Sequence, residues 1–504
     1  MTRHTGHEPG TRTLSVAMKY EPRGFNEVYR NYTGGGGYYV ANNVFNRLVN
    51  IDIYGTGKIH PDLAERWEVL DGGRTYRFHL RDARWHDGHP VCAEDVRETY
   101  LTAIREGYRA AASLGDVRDI VVRGDKVVDI ELVRPNSGFL AQLAIFVWTH
   151  ILPAHLYAGT DWTTNPANDA PIGTGPYRFD RWDQDGSVRI VANPDYHHDV
   201  PRADAIEFRV IPEVADAIDL LKAGELDFCT QDIPCERFDE LAAVEGVRLT
   251  GSRGNALGNI TFNVAREPWA DVRVRRAIAM LIDREALAAQ VCSRAVPAPY
   301  AYLEHVEWAF NPDARFPDFD PRGAEELLAE AGLERDQDGV RLRGNIVCRD
   351  LFPYWQAATR ALADTFRSVG VELEVVSLTA EQWSSRIQES HDFDLLVDGL
   401  GIGPDPVLFE EVLAGDNVLN VGSYRNADLD ELFRQGKAAQ SQEERAEAYR
   451  AAQAVIAADL PRIHLLLHGH HLGYQDRWQG WSWDPAVGGR LPAWSLESVR
   501  PADR

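Results

Sequence analysis

The pattern of apolar and polar positions alternates between strand-like and helix-like segments along the whole chain. RTLSVAM is a short apolar run that predicts a strand, and YYVANNVFNRLV is apolar at helical spacing. Asp71-Gly72-Gly73 separates WEVL from the alternating segment RTYRFHL, which is typical of a β-hairpin. After Pro90, the acidic residues of Ala93-Glu94-Asp95 suit the first turn of a helix. This alternation predicts an α/β, or mixed α+β, fold.

The second half of the chain repeats the alternation with longer helices. VRVRRAIAMLIDREALAAQVC predicts one long amphipathic helix that begins at Asp271. AEELLAEAGL ends in Ala331-Gly332, which is typical of a helix C-terminus. QAATRALADTFRSVGVELEVVSL predicts a helix, a turn at Val369-Gly370 and a buried strand. We find no internal repeat and no long Pro/Ser-rich linker, so several domains would be joined by short or multiple crossings.

Composition narrows the class of protein. The chain has 504 residues and a formal net charge of −24, which argues against broad binding to nucleic acid or to anionic membranes. No apolar run reaches about 18 residues, and the first residues lack the apolar core of a secretory signal. We expect that the protein is either cytoplasmic or that this sequence starts after a signal that has been removed. Of five cysteines, Cys229 and Cys235 could meet across a turn, or all five are thiols.

Residue patterns for catalysis and metal binding are weak. We find no GxSxG, no HExxH and no dinucleotide-binding glycine fingerprint, so we predict neither an enzyme nor a cofactor. IHLLLHGHHLGY carries four histidines that could bind a transition metal, but it reads as the end of a strand, and we predict no metal site. His197 and His198 are predicted to lie in a surface turn.

Six phrases occur in a characteristic order over nearly the whole chain. They span Pro61–Trp67, Tyr76–Val96, Pro171–Trp182, Ala192–His197, Phe262–Glu285 and Asp320–Gly332. Each phrase alone is weak, but together they resemble family 5 of the solute-binding proteins of ABC importers, which takes peptides, nickel and opines. Within these phrases, Gly173 and Gly175 of GTGPY are expected to allow positive φ.

The resemblance implies a clamshell of the periplasmic-binding-protein type II, with two lobes and an extra subdomain. The implied segments are lobe I at 1–45, 171–255 and 471–504, the extra subdomain at 46–170, and lobe II at 256–470. The chain would cross the hinge near Leu257 and again near His470, and the lobes would close on the ligand.

By the family's pattern, four stretches face the ligand, and the first two lie in lobe I and the extra subdomain. The first includes Thr33, Gly35, Gly36 and Tyr38, within and beside four consecutive glycines. Such a stretch could offer bare backbone N–H groups to a polar ligand, or it could be a surface turn. The second stretch surrounds Tyr108.

The third stretch enters lobe II. Strand periodicity places Leu257, Asn259 and Thr261 on one face, where the amide and hydroxyl would suit a polar neutral ligand. The alternative is that these polar groups bond the backbone at the hinge.

The fourth stretch is a loop in lobe II that we expect to line the ligand through Asp398, Leu400, Gly401, Ile402 and Asp405. In peptide-binding relatives an Asp in this loop holds the peptide's α-ammonium, and that position falls here in Gly401-Ile402-Gly403. A buried ammonium would be unpaired there. Asp398 could instead serve a cation or sugar hydroxyls, or it could cap backbone amides.

A polar and aromatic group just before a helix completes the predicted site. Arg349, Tyr354 and Trp355 would suit a sugar face or a cationic group, although Trp355 could also be core. The arginine that grips a dipeptide's carboxylate would fall near Gln356 and is absent there.

These expectations together describe a non-catalytic, extracytoplasmic protein. It would capture a small polar solute (oligopeptide-like, a sugar or a sugar–amino-acid conjugate) and deliver it to the permease subunits of an ABC importer. We expect a monomer, periplasmic or at the cell surface as a lipoprotein, with no nucleic-acid partner. The alternative is a cytoplasmic ligand sensor or biosynthetic carrier that reuses the same clamshell.

Overall fold

The computed structural model describes residues 12–29, 36–52, 57–145, 147–250, 256–292, 295–304, 306–350, 353–401, 405–415, 417, 419–468, 471–483 and 495–502. The chain divides into two compact units, Met1–Ser252 with His471–Arg504 (unit 1) and Arg253–His470 (unit 2). Both units combine sheets with helices, so the predicted mixed α/β class is confirmed. The domain boundaries given above stay predictions. Among the described residues, no helix is both long enough and apolar enough to cross a bilayer.

Unit 1 contains a seven-stranded sheet around a buried central strand. In sheet order its strands are β12 (Val247–Leu249), β19 (Gly473–Gln475), β11 (Phe228–Cys229), β1 (Thr13–Met18), β10 (Ala205–Val210), β9 (Val188–Ala192) and β8 (Tyr177–Trp182). All of β1 is buried, and it pairs in parallel with β10 and β11. A strand covered on both faces needs apolar side chains on both, which explains the run RTLSVAM.

Helices of unit 1 pack on this sheet, and separate two-stranded ribbons and a second sheet complete the unit. These helices and ribbons are α1 (Gly37–Val44), α5 (Val214–Lys222), α6 (Phe238–Ala242), the ribbon of β20 (Trp478–Gln479) with β21 (Arg500–Pro501), and the ribbon of β2 (Val49–Ile51) with β3 (Ile59–Pro61). The second sheet is antiparallel and runs β4 (Ala64–Leu70), β5 (Thr75–Leu80), β7 (Val127–Leu132), β6 (Val117–Gly124). Its helices are α2 (Ala93–Glu106), α3 (Phe139–Ile145) and α4 (Ala154–Tyr157).

Two predicted local features of this sheet are confirmed. Asp71, Gly72 and Gly73 all take positive φ in the turn that joins β4 to β5. Helix α2 begins at Ala93, and the buried Asp95 carboxylate accepts from the Cys92 N–H at 2.8 Å at its first turn.

Gly173 and Gly175 lie against the end of α1. A Cβ on Gly173 would be 1.8 Å from the Val44 carbonyl oxygen, and one on Gly175 would be 2.6 Å from the Val44 carbonyl carbon. Neither glycine has positive φ, so the expected reason for them is wrong, and close backbone approach is what requires them. His86 holds this segment, because its Nδ1 accepts from the Gly173 N–H at 3.2 Å and its Nε2 lies 3.1 Å from the Gly175 carbonyl oxygen. Burial lowers the pKa of His86 to about 4.

Unit 2 is a six-stranded sheet with helices. In sheet order the strands are β14 (Val296–Pro297), β18 (Arg462–His468), β13 (Ala256–Phe262), β17 (Leu395–Gly401), β15 (Leu342–Arg349) and β16 (Val371–Leu378). The helices are α7 (Val272–Met280), α8 (Arg284–Val291), α9 (Pro321–Glu330), α10 (Pro353–Ser368), α11 (Ala380–Trp383), α12 (Val407–Leu413), α13 (Ala427–Ala438) and α14 (Gln442–Asp459).

The helix boundaries of unit 2 test the sequence predictions closely. Asp271 caps α7, because its carboxylate accepts from the Arg273 N–H at 2.8 Å, and Gly332 follows α9 with positive φ. The single long helix predicted from Asp271 onward is wrong. Asp283 caps a second helix, α8, by accepting from the Ala286 N–H at 3.0 Å, so the chain turns between α7 and α8.

Candidate functional site

Polar side chains gather on one face of the unit 2 sheet. β13 pairs antiparallel with both β17 and β18, which places Asn259 opposite Asp398 on one side and opposite His464 on the other. Strand alternation puts Thr261 on the same face. We name Asn259, Thr261, Asp398, Arg462 and His464 the β13 polar cluster. The structure therefore brings together three of the predicted site residues and adds two that the prediction lacked.

The amide of Asn259 is used inside the protein. Asn259 is fully buried, its Oδ1 lies 2.6 Å from His464 Nδ1, and its Nδ2 donates to the Leu257 carbonyl oxygen at 2.5 Å. Its Nδ2 therefore bonds the backbone, as in the alternative given above, and its role toward a ligand stays a prediction. Leu257 is 1% exposed and belongs to the apolar core of unit 2.

Asp398 forms an ion pair with Arg462. A carboxylate oxygen of Asp398 accepts from Nη2 of Arg462, and the side chains are 19% and 5% exposed respectively. The hydroxyl of buried Thr261 has no hydrogen-bond partner in the described part of the chain. Asp398 is thus the most exposed member of an otherwise buried cluster, and its charge is already compensated.

Trp355 lies on the opposite face of the same strands. Its side chain is 2% exposed, and its indole sits on two glycines that pair across the strands, Gly258 of β13 and Gly399 of β17. The ring of Tyr354 meets it edge-on, with centroids 5.1 Å apart. The Arg349 guanidinium lies 4.6 Å from the ring centroid of Trp383. The core alternative for Trp355 therefore describes its packing.

Asp405 lies two residues before α12 and forms an ion pair with Arg445 of α14. Its carboxylate receives two hydrogen bonds from Arg445, at 2.7 and 2.8 Å, and accepts from the Val407 N–H at 2.9 Å. Burial alone would lower the pKa of Arg445, but the adjacent Asp405 carboxylate raises it above the ordinary value. Both side chains are at least 85% buried, so this bidentate pair is a fixed part of the fold.

The rest of the fourth predicted stretch is described only in part. Leu400 and Gly401 end β17 and pair with Leu257 and Ala256. Ile402 lies outside the described residues.

The described site residues predicted in unit 1 lie at α1 and just after α2. Thr33 and Gly35 fall outside the described residues. Gly36 precedes α1 and touches the backbone, since a Cβ there would be 2.3 Å from the Tyr20 carbonyl oxygen. Tyr38 is half-buried, and burial raises the pKa of its hydroxyl.

Tyr108 belongs to an aromatic group. Its ring stacks on Trp162 with centroids 5.4 Å apart and meets Tyr29 edge-on at 5.8 Å. Burial raises the pKa of the Tyr108 hydroxyl. The ring is half-buried, so one part of it remains accessible to a planar or sugar-like group.

One cysteine pairing is excluded. Cys229 is a buried free thiol whose pKa burial raises to about 12, so it is not bonded to Cys235. Cys235 is itself disulfide-bonded, so the alternative in which all five cysteines are thiols is also wrong.

Sequence analysis missed three charged or polar residues that contact predicted site residues: Arg445, Arg462 and His464. His464 drew attention only as one of four histidines, and both arginines lie far along the chain from the aspartates they pair with. A lone charged residue in a helix or strand gives no signal of its partner until the register of the sheet is known.

Comparisons with known proteins agree with this architecture. Residues 58–415 match the family model described as Bacterial extracellular solute-binding proteins, family 5 Middle. The chain is 25% identical over 481 residues to the dipeptide-binding protein of Escherichia coli, covering 90% of this chain and 88% of that protein. It is 25% identical over 508 residues to the oligopeptide-binding protein AppA of Bacillus subtilis, covering 94% and 89%.

Solved structures show the same fold. AppA from Bacillus subtilis in complex with a nonapeptide superposes with a TM-score of 0.84 at 22% identity, covering 97% of this chain and 99% of that one. AgaA from A. tumefacien R10 in complex with agropinic acid also gives 0.84 at 22% identity, covering 98% and 99%. The family match spans well over half of the sequence, and this chain therefore belongs to the family 5 bacterial extracellular solute-binding proteins.

Proposed function

We propose that this protein binds a small polar solute outside the cytoplasm and delivers it to an ABC importer. The observation that carries the proposal is the family match over residues 58–415. Proteins of this family bind peptides and other small solutes, work with ABC permeases and are not enzymes. Binding without chemistry needs only a difference in affinity between conformations, so no catalytic group is required.

The charges of unit 2 indicate which solutes fit. Asp398 and Asp405 are the only carboxylates among the predicted site residues, and each already pairs with an arginine. An incoming α-ammonium would have to displace a guanidinium or remain unpaired, and either is costly. We infer that the ligand is not held by a free amino terminus. Oligopeptides held through their backbone, sugars and sugar–amino-acid conjugates meet this condition.

A matched pair of peptides tests the ligand class. The full chain is unfolded and refolded to remove bound solute, then titrated by calorimetry with tetra-alanine, N-acetyl-tetra-alanine, sucrose and a fructosyl amino acid. We expect acetylation to change the Kd by less than about 10-fold, or the sugar compounds alone to bind. Acetylation that weakens binding by more than about 100-fold would refute the missing amine anchor. Silence of the whole panel would contradict the proposed ligand class.

A pair of variants tests where the ligand binds. Tyr354→Ala removes a half-buried ring beside Trp355, and Phe319→Ala removes a ring that is 46% exposed elsewhere in unit 2. The first variant should weaken binding of whichever compound binds, and the second should leave it unchanged. Equal affinities of the two variants for the ligand would exclude Tyr354 from the ligand-binding site.

The finer setting of the protein follows from the same proposal. The partners would be the two permease subunits of the importer, and the protein would act as a monomer at the cell surface or in the periplasm. The family's description as extracellular supports this location.

A further inference from the structure

Three segments of unit 1 that are far apart in the sequence meet at a group of metal-ligating side chains. Asp62 lies between β3 and β4, His197 and His198 follow β9, and Glu497 precedes β21. Asp62, His197 and His198 each offer one ligand atom, and these atoms lie within 4.8 Å of one another. The predicted surface turn at His197 and His198 is therefore only partly correct, because the His197 side chain is 5% exposed.

The distances suit coordination better than hydrogen bonding. Nε2 of His197 and Nε2 of His198 are each 3.7 Å from the same Asp62 oxygen, Oδ1. A hydrogen bond between such atoms is about 2.7–3.2 Å long. Ligand atoms about 2.0–2.2 Å from one tetrahedral zinc ion are about 3.3–3.6 Å apart, which is close to the observed spacing.

The Nε2 atom of His197 is not satisfied by the described protein groups around it. Nε2 of His197 is buried and has no hydrogen-bond partner among the residues that the structure describes, and it lies 3.7 Å from the Asp62 carboxylate. A buried polar atom without a partner costs about 1–3 kcal/mol, so the site lacks a group that accepts this lone pair or receives its proton. A metal ion bound between the rings and the carboxylate would fill that role. His198 is 31% exposed and leaves a path for its entry.

The surroundings orient the carboxylate as the outer partners of metal ligands do. Asn46 Nδ2 donates to Asp62 Oδ1 at 2.9 Å, and the Arg47 N–H donates to Oδ2 at 3.0 Å. Asn46 Nδ2 is also 3.2 Å from the Tyr196 hydroxyl, which in turn donates to Glu497 Oε2 at 3.2 Å. Glu497 is thus linked to the Asp62 carboxylate through Tyr196 and Asn46, and it does not belong to the group of close ligand atoms.

We propose that Asp62, His197 and His198 bind one divalent transition-metal ion of the zinc type. Two imidazoles and a carboxylate are a donor set that Zn²⁺ and Co²⁺ accept, with water completing four-coordination. The ion would join the β3–β4 loop to the β9–β10 loop of unit 1. It would stabilise the fold of this unit and would take no part in binding the transported solute.

A second histidine cluster serves as a control. Asp87, His89 and His155 also lie close together, but all three are exposed, and His155 Nε2 already lies 2.7 Å from Asp87 Oδ2. Replacing His89, whose side chain is 60% exposed, changes the histidine count without touching the proposed site.

The test uses the full, untagged chain stripped of metal by a chelator. ZnCl₂ is titrated by calorimetry, and CoCl₂ is followed by its visible absorption, for the wild type, His198→Gln and His89→Gln. Far-UV circular dichroism checks that each variant folds. We expect one Zn²⁺ per chain, Co²⁺ bands typical of four-coordination, at least a 10-fold weaker Kd in His198→Gln, and no change in His89→Gln. Absence of stoichiometric binding at 100 μM Zn²⁺, or loss of binding in His89→Gln alone, would overturn the proposal.

Discussion

The packing of Trp355 on two paired glycines predicts a large cost for adding a single methyl group. A Cβ on Gly258 would lie 2.1 Å from Cζ3 and 2.3 Å from Cη2 of the Trp355 indole. Carbon atoms in contact are about 3.5–4.0 Å apart, so the ring would have to move by more than about 1 Å. The indole is 2% exposed and cannot do so without disturbing the core.

The magnitude follows from that displacement. Overpacking of a core costs about 1–3 kcal/mol, and this contact belongs at the upper end because rigid ring atoms, not a flexible chain end, stand in the way. Alanine recovers about 0.5–1 kcal/mol of backbone entropy relative to glycine. We therefore expect Gly258→Ala to lower the free energy of unfolding by about 2–2.5 kcal/mol. Gly399→Ala, whose Cβ would be 3.0–3.2 Å from the ring, should cost less than about 1 kcal/mol.

Urea denaturation followed by circular dichroism measures these differences. Gly115→Ala is the matched control, because a Cβ there meets nothing within 4 Å, and it should not destabilise the protein. Trp355→Leu in the Gly258→Ala background should restore stability, with a coupling energy of at least about 1 kcal/mol. A Gly258→Ala variant as stable as Gly115→Ala would refute this account of the Trp355 face.

Two further predictions concern ionisable groups. Burial lowers the pKa of His86 to about 4 in the folded protein, whereas its pKa in the unfolded chain is about 6.5. Because the folded protein holds this imidazole neutral, His86 does not reduce stability above pH 6.5. As the pH falls from 6.5 to 4, the free energy of unfolding decreases by up to about 3 kcal/mol. In urea titrations over this range, His86→Gln should therefore show a shallower decline of stability than the wild type, and parallel curves would contradict it. Asp405→Asn leaves the buried Arg445 guanidinium without its counter-charge and should cost about 3–5 kcal/mol. The corresponding change at exposed Glu431, Glu431→Gln, breaks its pair with Arg434 and should lower the free energy of unfolding by less than about 1 kcal/mol. Equal losses of stability in the two variants would show that burial does not set the difference.

Sequence patterns predicted those elements whose signals are local. The caps at Asp271 and Gly332 depend on residues a few positions away, and both are confirmed. The break between α7 and α8 was missed because an Asp at 283 is compatible with an exposed helix position as well as with a cap. Only the structure, in which the Asp283 carboxylate accepts a backbone N–H, distinguishes these roles.

The candidate site was predictable only in outline, because its contacts depend on strand register. Alternation places Asn259 on a face, but its partner His464 comes from β18, and the register of β18 shifts between Gly258 and Asn259. The same applies to Trp355. A tryptophan near a predicted site could line the ligand or pack in the core. The sequence does not show that Gly258 and Gly399 pair across two strands and contact its indole.

The internal pairing of charges in unit 2 has a consequence for recognition. A carboxylate that faces a solute can hold an ammonium only if its own charge is uncompensated, and neither Asp398 nor Asp405 meets that condition. The same pairs join β17 to β18 and the segment before α12 to α14. On the proposed function, selectivity near these two aspartates would come from shape and from neutral hydrogen-bonding groups. Such a site would discriminate by leaving polar groups unpaired for the wrong ligand, and we propose that it favours uncharged, hydroxyl- or amide-rich solutes over zwitterions.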